Sequence, residues 1–261
     1  QQISELSLFA MGLGAAVGFI FCLVVHLSPA KYLINNHHSL AGPQKIHTDP
    51  TPRIGGLGLI KIPTARMAGD GELRATISRE DVADIYNITY QATPWLEATF
   101  RYSIFNPRNF SYSSDGLRDR SYEAKARVLR ERAWLPEVAV GVRDILGTGV
   151  WEGEYAVASK ELGRGDISLG MGWGRLGSRG QIENPLGKID KTYKLRPGRR
   201  DTGGEFGGAS RSKSYFRGPA AWFGGARYRL ARWPLQFAAE YSSDDYAREV
   251  GFGTIETPSP W

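Results

Sequence analysis

At 261 residues the chain is long enough for one barrel or sandwich, or for one domain with an anchor. Its 32 glycines, 7 Trp, 12 Tyr and 11 Phe suit many short strands and turns, and its single cysteine excludes an internal disulfide. A net charge of +6 points to an anionic partner, and the absence of any nucleic-acid motif leaves a membrane surface or an acidic polymer.

From Leu6 to Leu27 there is no Asp, Glu, Lys or Arg. The run is long enough for the ~20 residues of a membrane-spanning helix, and Gly12, Gly14 and Gly18 lie on or near one face of it. Glu5 precedes it, no basic residue does, and no Ala-x-Ala follows, so a span is expected rather than a signal peptide. Cys22 lies within the run and is expected as a buried thiol.

The segment that follows carries Lys31, His37, His38, Lys45, His47 and Arg53, a basic set that the positive-inside rule places in the cytoplasm. Its histidines lack an i,i+4 pair and a nearby carboxylate, so no metal site is expected. Leu6 to Gly56, with Lys45-Ile46-His47-Thr48-Asp49-Pro50-Thr51-Pro52-Arg53-Ile54-Gly55-Gly56, resembles the first helix and loop of polyprenyl-phosphate sugar-1-phosphate transferases. That resemblance would make Lys45, His47 and Arg53 phosphate-facing. Such enzymes hold magnesium with an Asp-Asp pair on later membrane helices. Here no second apolar span follows, and Asp244-Asp245 lies after a strand-like segment. No catalytic residue and no cofactor are expected. The chain divides into residues 1–55, helix and basic loop, and residues 56–261.

The second part is periodic by two. A short apolar run after Gly56 holds a Pro-Thr-Ala-Arg-Met turn, and Gly-Asp-Gly-Glu-Leu opens the first strand. Leu73, Ala75 and Ile77 alternate with polar residues, as do Leu96, Ala98, Phe100 and Tyr102. Further segments place Val138, Val140 and Val142, then Trp151, Gly153, Tyr155 and Val157, on one face. Ile167, Leu169, Met171 and Trp173, and finally Leu235, Phe237, Ala239 and Tyr241, do the same. Each strand therefore has one apolar face and one polar or small face.

Two architectures satisfy this pattern. A soluble sandwich hides the apolar face in a core. A membrane barrel turns it to lipid and keeps charges such as Arg101, Glu154 and Arg227 in the lumen. Segment length, aromatic residues at segment ends and alternating short and long connections favour the barrel.

Four further stretches carry a resemblance. They are Val142-Arg143-Asp144-Ile145-Leu146-Gly147-Thr148-Gly149, Glu154-Tyr155-Ala156-Val157-Ala158-Ser159-Lys160, Asp166-Ile167-Ser168-Leu169-Gly170-Met171-Gly172-Trp173-Gly174 and Glu240-Tyr241-Ser242-Ser243-Asp244-Asp245-Tyr246. With Gly56 to Arg101, they resemble the YjbH family of exopolysaccharide-associated outer-membrane β-barrel proteins. The resemblance implies an all-β fold, an antiparallel transmembrane barrel present as its N-terminal portion, here preceded by one apolar helix. It implies a non-catalytic role in exopolysaccharide export or surface assembly in the outer membrane. Membrane lipid and exopolysaccharide or other secretion proteins are the implied partners, with no nucleic acid. The rival reading is a transferase fragment of the inner membrane. The irregular stretch Gly174 to Gly218 is rich in Lys and Arg, and Arg196, Arg199, Arg200 and Lys213 are its candidate contacts to polysaccharide or phosphate. Glu152 and Glu154 are expected to line the lumen.

Overall fold

The computed structural model describes residues 58–79, 83–105, 118–198, 207–208, 210–233 and 235–247, with two short strands nearer the N-terminus. The fold is all-β and antiparallel. Its strands are β1 (Phe9–Met11), β2 (Cys22–Val24), β3 (Leu73–Arg79), β4 (Ala83–Thr93), β5 (Leu96–Phe105) and β6 (Arg118–Leu129). They continue as β7 (Glu137–Ile145), β8 (Gly153–Leu162), β9 (Gly165–Gly174), β10 (Ala220–Arg229) and β11 (Gln236–Tyr241). Strands β3 to β11 pair in chain order, and β2 and then β1 add at the β11 edge to give one 11-stranded sheet. The sheet is open: β1 and β3 are its edges.

Among the described residues, the apolar helix expected over residues 6–27 is not found. Phe9–Met11 and Cys22–Val24 are strands, and no helix among the described residues is long and apolar enough to cross a membrane. An uncharged apolar run satisfies helix and buried strand alike, so the sequence pattern alone does not decide. At Cys22 the pairing with Ala238 makes the described part of the run a strand.

The alternation in β3 to β11 is inside-out. In β5 the residues Glu97, Thr99, Arg101 and Ser103 are buried, while Leu96, Ala98, Phe100 and Tyr102 are less so. In β6 Asp119, Ser121, Glu123 and Lys125 are buried and Tyr122 is exposed. In β9 Ser168 is 3% exposed and its neighbour Leu169 is 57% exposed. Ile77, Ile88, Trp222 and Phe237 are exposed in the same sense.

The polar face is buried because the sheet curls around its own chain. Residues 58–70 run through the space it encloses. The backbone N–H of Ile62 donates to Glu240 on β11, and that of Ala68 to Gln91 on β4. Across seven strand spacings of ~4.8 Å, a flat sheet would set β4 and β11 about 34 Å apart. Six residues of extended chain reach only about 21 Å. The sheet must therefore be concave toward this segment.

The phase expected for β8 is wrong. Tyr155 and Val157 face the inside, and Ala156 and Ala158 face out. The internal segment supplies the reason. Leu59, Ile62, Ala65 and Met67 cluster with Ala139, Tyr155, Val157, Phe223 and Ala238. Apolar side chains on this stretch of the inner face thus have an apolar partner. Small residues make room for them: a Cβ on Gly141 would lie 2.2 Å from Tyr155 Cζ, and one on Gly170 equally close to Phe223.

The connections differ at the two ends. β4–β5, β6–β7, β8–β9 and β10–β11 are joined by short segments at one end. At the other end β9 and β10 are joined by residues 175–219, a long connection with short 3-10 turns.

Candidate functional site

The site the fold builds is the concave interior and its mouth at the long-connection end. Its centre is residues 58–70. Leu59 N–H donates to Ile62 O at 3.1 Å, and Gly58 bridges to Pro63. This tight turn aligns three successive N–H groups, of Ile60, Lys61 and Ile62, on the carboxylate of Glu240 at 2.9–3.2 Å. Ala65 N–H donates to Ser159 Oγ, which also shares a hydrogen bond with Ser168 Oγ.

Arg66 then fixes the segment to three places at once. It makes two contacts to Asp166 on β9, one to Glu137 on β7 and one to Glu131 in the β6–β7 connection. Its carbonyl accepts from Lys125 Nζ on β6 at 2.8 Å. Burial opposes the charge of Arg66, but the hydrogen bonds it donates to Asp166 and Glu131 outweigh it and raise the guanidinium above its ordinary range. Arg227 also reaches Asp166, at 2.9 Å. A second ionic layer lies toward the mouth. Arg101 and Arg143 both contact Glu123, at 3.0 and 3.4 Å, and Lys125 contacts Glu97 at 2.9 Å. These pairs are nearly fully buried, so each charge is held by its partner rather than by bulk water.

At the mouth, Trp151 stacks on Phe105 and donates from Nε1 to Ser103 Oγ. Arg175 sits 4.7 Å over the Trp151 ring and pairs with Asp244. Leu176 tucks over Gly172, where a Cβ would meet it at 2.3 Å.

The candidate residues of the long connection are placed unequally. Arg196 forks onto Glu154, both contacts at 2.8 Å, and onto Glu152 at 2.6 Å. Arg211 pairs with Glu152 as well, and Ser214 Oγ donates to it. Burial pushes the Glu152 carboxyl up, but Arg196 and Arg211 hold it below the usual carboxylate range. Lys213 is exposed. Arg199 and Arg200, and Lys45, His47 and Arg53, lie outside the described residues.

Glu154 is not a lumen residue. By alternation it lies on the outward face with Ala156, opposite Trp173 of β9. It is buried because the long connection folds over this end of the strands, with Phe216 edge-on to Trp173 at 5.2 Å. Arg101 and Arg227 do face the interior, as expected.

Sequence reading missed Arg66, Gln91, Ser159 and Glu240. The available signal was Arg66, with Lys61, in the mainly apolar stretch Gly56 to Ala68, where Pro63 to Met67 reads as a turn. Among the described residues no group of three or more His, Cys, Asp or Glu is placed to hold a metal ion.

A family model described as "Exopolysaccharide biosynthesis protein YbjH" matches residues 51–261. The chain belongs to the YjbH family. Over 211 residues, 79% of its length, it is 40% identical to the "Uncharacterized lipoprotein YjbH" of Escherichia coli (strain K12). It spans 30% of that YjbH relative's length. The family match begins five residues before the boundary expected at residue 56. No solved structure matches the chain.

Proposed function

We propose that this chain is part of an outer-membrane β-barrel that acts in exopolysaccharide export or surface assembly and performs no catalysis. The observation that carries the reading is the inside-out sheet. Charged pairs such as Arg101–Glu123 are buried on the concave face, while Leu73, Ile77, Ile88, Leu169 and Phe237 are exposed on the convex face. Water gives no reason to expose such a band, whereas hydrocarbon does. The open edges at β1 and β3 are then where the remaining strands of a longer protein pair, since a spanning sheet must close. The printed name of the Escherichia coli relative, a lipoprotein, agrees with membrane attachment.

In this reading residues 58–70 are an internal plug, and the ionic layers around Arg66 and Arg101 line the passage it occupies. The basic residues of the long connection, Lys213 and in sequence Arg199 and Arg200, meet the acidic groups of polymer or lipopolysaccharide; Arg196 orders that connection through Glu152 and Glu154. The family's description as exopolysaccharide biosynthesis supplies the polymer.

The test is where polymer accumulates. A strain lacking the full protein should hold polymer in its periplasm and lose it from its surface, and the intact gene should restore it. Unchanged surface polymer would contradict the reading. Purified protein given polyprenyl phosphate, a nucleotide-sugar and magnesium should form no lipid-linked sugar; turnover would favour the transferase reading instead.

A further inference from the structure

The short-connection end of the sheet has a composition that the passage does not use. Four connections meet there: Pro94-Trp95, Arg130 to Pro136, Gly163-Arg164 and Leu230 to Leu235. They are neighbours in space: Arg127 N–H donates to Trp95 O, and Arg229 N–H to Arg164 O. Three of the four carry a tryptophan, and all three are exposed: Trp95, Trp233 and, at 95%, Trp134. The buried tryptophans, Trp151 and Trp173, lie toward the opposite end.

The same connections hold Arg130, Arg132, Arg164 and Arg232, all exposed. Their one acidic residue, Glu131, is turned to Arg66 and Lys160. The four connections thus present exposed indoles and guanidiniums with their own acid turned away, and Asp70 and Glu161 are the exposed acids beside them. This end borders the exposed apolar band at Leu73, Tyr90, Leu162 and Tyr228.

These two side-chain types share one preferred environment. An indole places an apolar body and a polar N–H across a boundary between hydrocarbon and water. A guanidinium lays its stem on apolar surface and presents a fork matched to phosphate oxygens. We propose that the short-connection rim is a binding surface for the phosphate headgroups of anionic phospholipid, taken from the leaflet that surrounds it. The proposal rests on the membrane-barrel reading. Phospholipid is favoured over a soluble acidic partner because the arginines follow the edge of the apolar band around three successive connections rather than forming one compact patch.

The experiment uses the full protein reconstituted in phosphatidylcholine vesicles, with trace spin-labelled phosphatidylglycerol or spin-labelled phosphatidylcholine. The fraction of each label immobilised at the protein boundary is read by electron paramagnetic resonance. Each arginine near an anionic surface contributes about fivefold in local affinity. The wild-type protein should therefore select phosphatidylglycerol severalfold, and 1 M salt should remove most of that selection. The variant R130Q/R132Q/R164Q/R232Q should immobilise as much lipid in total but select neither. Equal immobilisation of both labels by the wild type, or selection that survives in the variant, would overturn the proposal and leave the barrel standing. If no lipid of either kind is immobilised, the barrel reading itself fails. Dimers forming through this rim, with no lipid selection, would assign the surface to a second copy.

Discussion

The guanidinium of Arg66 grips Asp166 with two parallel contacts, Nε to Oδ2 at 2.9 Å and Nη2 to Oδ1 at 3.0 Å. The two residues are 100 positions apart, and this fork ties the internal segment to β9. Charged pairs of this kind are set by planar geometry as much as by charge.

Arg66→Ala should therefore release the segment. Removing one partner leaves Glu137 buried with less compensation and Asp166 with Arg227 alone, a loss on the order of 3–5 kcal/mol. Urea unfolding of the full protein should show it, and proteolysis within residues 58–70 should rise. Arg66→Lys should fall between the two, because it keeps the charge and loses the fork. An unchanged midpoint and cleavage pattern for Arg66→Ala would show that the apolar contacts of Leu59 and Ile62 hold the segment unaided.

The inner surface is also fitted by volume. Gly141 faces Tyr155, whose side chain is fully buried, and a methyl group there would lie 2.2 Å from Cζ. Gly141→Ala should cost about 1–3 kcal/mol through overpacking. Tyr155→Leu in the same chain should recover part of that loss, giving a double-mutant cycle that is less than additive. Strict additivity would mean that the two residues do not share the space.

Much of this architecture is legible in the sequence, and what is not has identifiable causes. Period-2 alternation puts Leu96 with Phe100, and Leu169 and Phe237 in their own strands, on the face opposite the polar residues. That this face is the outer one, with Arg101 and Arg227 inside, follows only when segment length, terminal aromatic residues and connection lengths choose the barrel over the sandwich. Tyr155 and Val157 invert the expectation because their partners, Leu59, Ile62 and Ala65, come from a segment with no periodic signal. Glu154 fails for a related reason. Alternation puts it outside, and only the long connection, through Arg196, buries it. The strands at Phe9–Met11 and Cys22–Val24 lie in a run whose composition serves a helix equally well.

The long connection should loosen in acid. Arg196 and Arg211 hold the Glu152 carboxyl below its ordinary value of 4.5 despite burial. A depressed carboxylate contributes stability that is complete above the unfolded pKa and lost as pH falls through the lower folded one. Protection factors of the amides of residues 178–198, which remove the intrinsic pH dependence of exchange, should thus be flat from pH 7 down to about 4.5 and fall below it. Glu152→Gln should lower them at neutral pH, with Glu154 still retaining Arg196. Protection lost on the alkaline side instead would exclude this anchor.

A cation on the convex face should be costly only if that face meets hydrocarbon. Leu169→Arg should destabilise the lipid-embedded protein by roughly 2–4 kcal/mol, whereas Lys194→Arg, on an exposed part of the long connection, should be near neutral. Equal effects at the two positions would argue for an aqueous convex face.

The most direct measurement of the inside-out sheet is accessibility along β9. Single cysteines at positions 166 to 171, in a Cys22→Ser background of the full protein in lipid vesicles, would carry nitroxide labels. Collisions with oxygen, which concentrates in hydrocarbon, and with a water-soluble nickel chelate would be compared at each site. The account predicts alternation with period two, positions 167, 169 and 171 meeting oxygen and excluding the chelate, and positions 166, 168 and 170 meeting neither freely. Free access of the chelate to positions 167, 169 and 171 would contradict it and place the convex face in water.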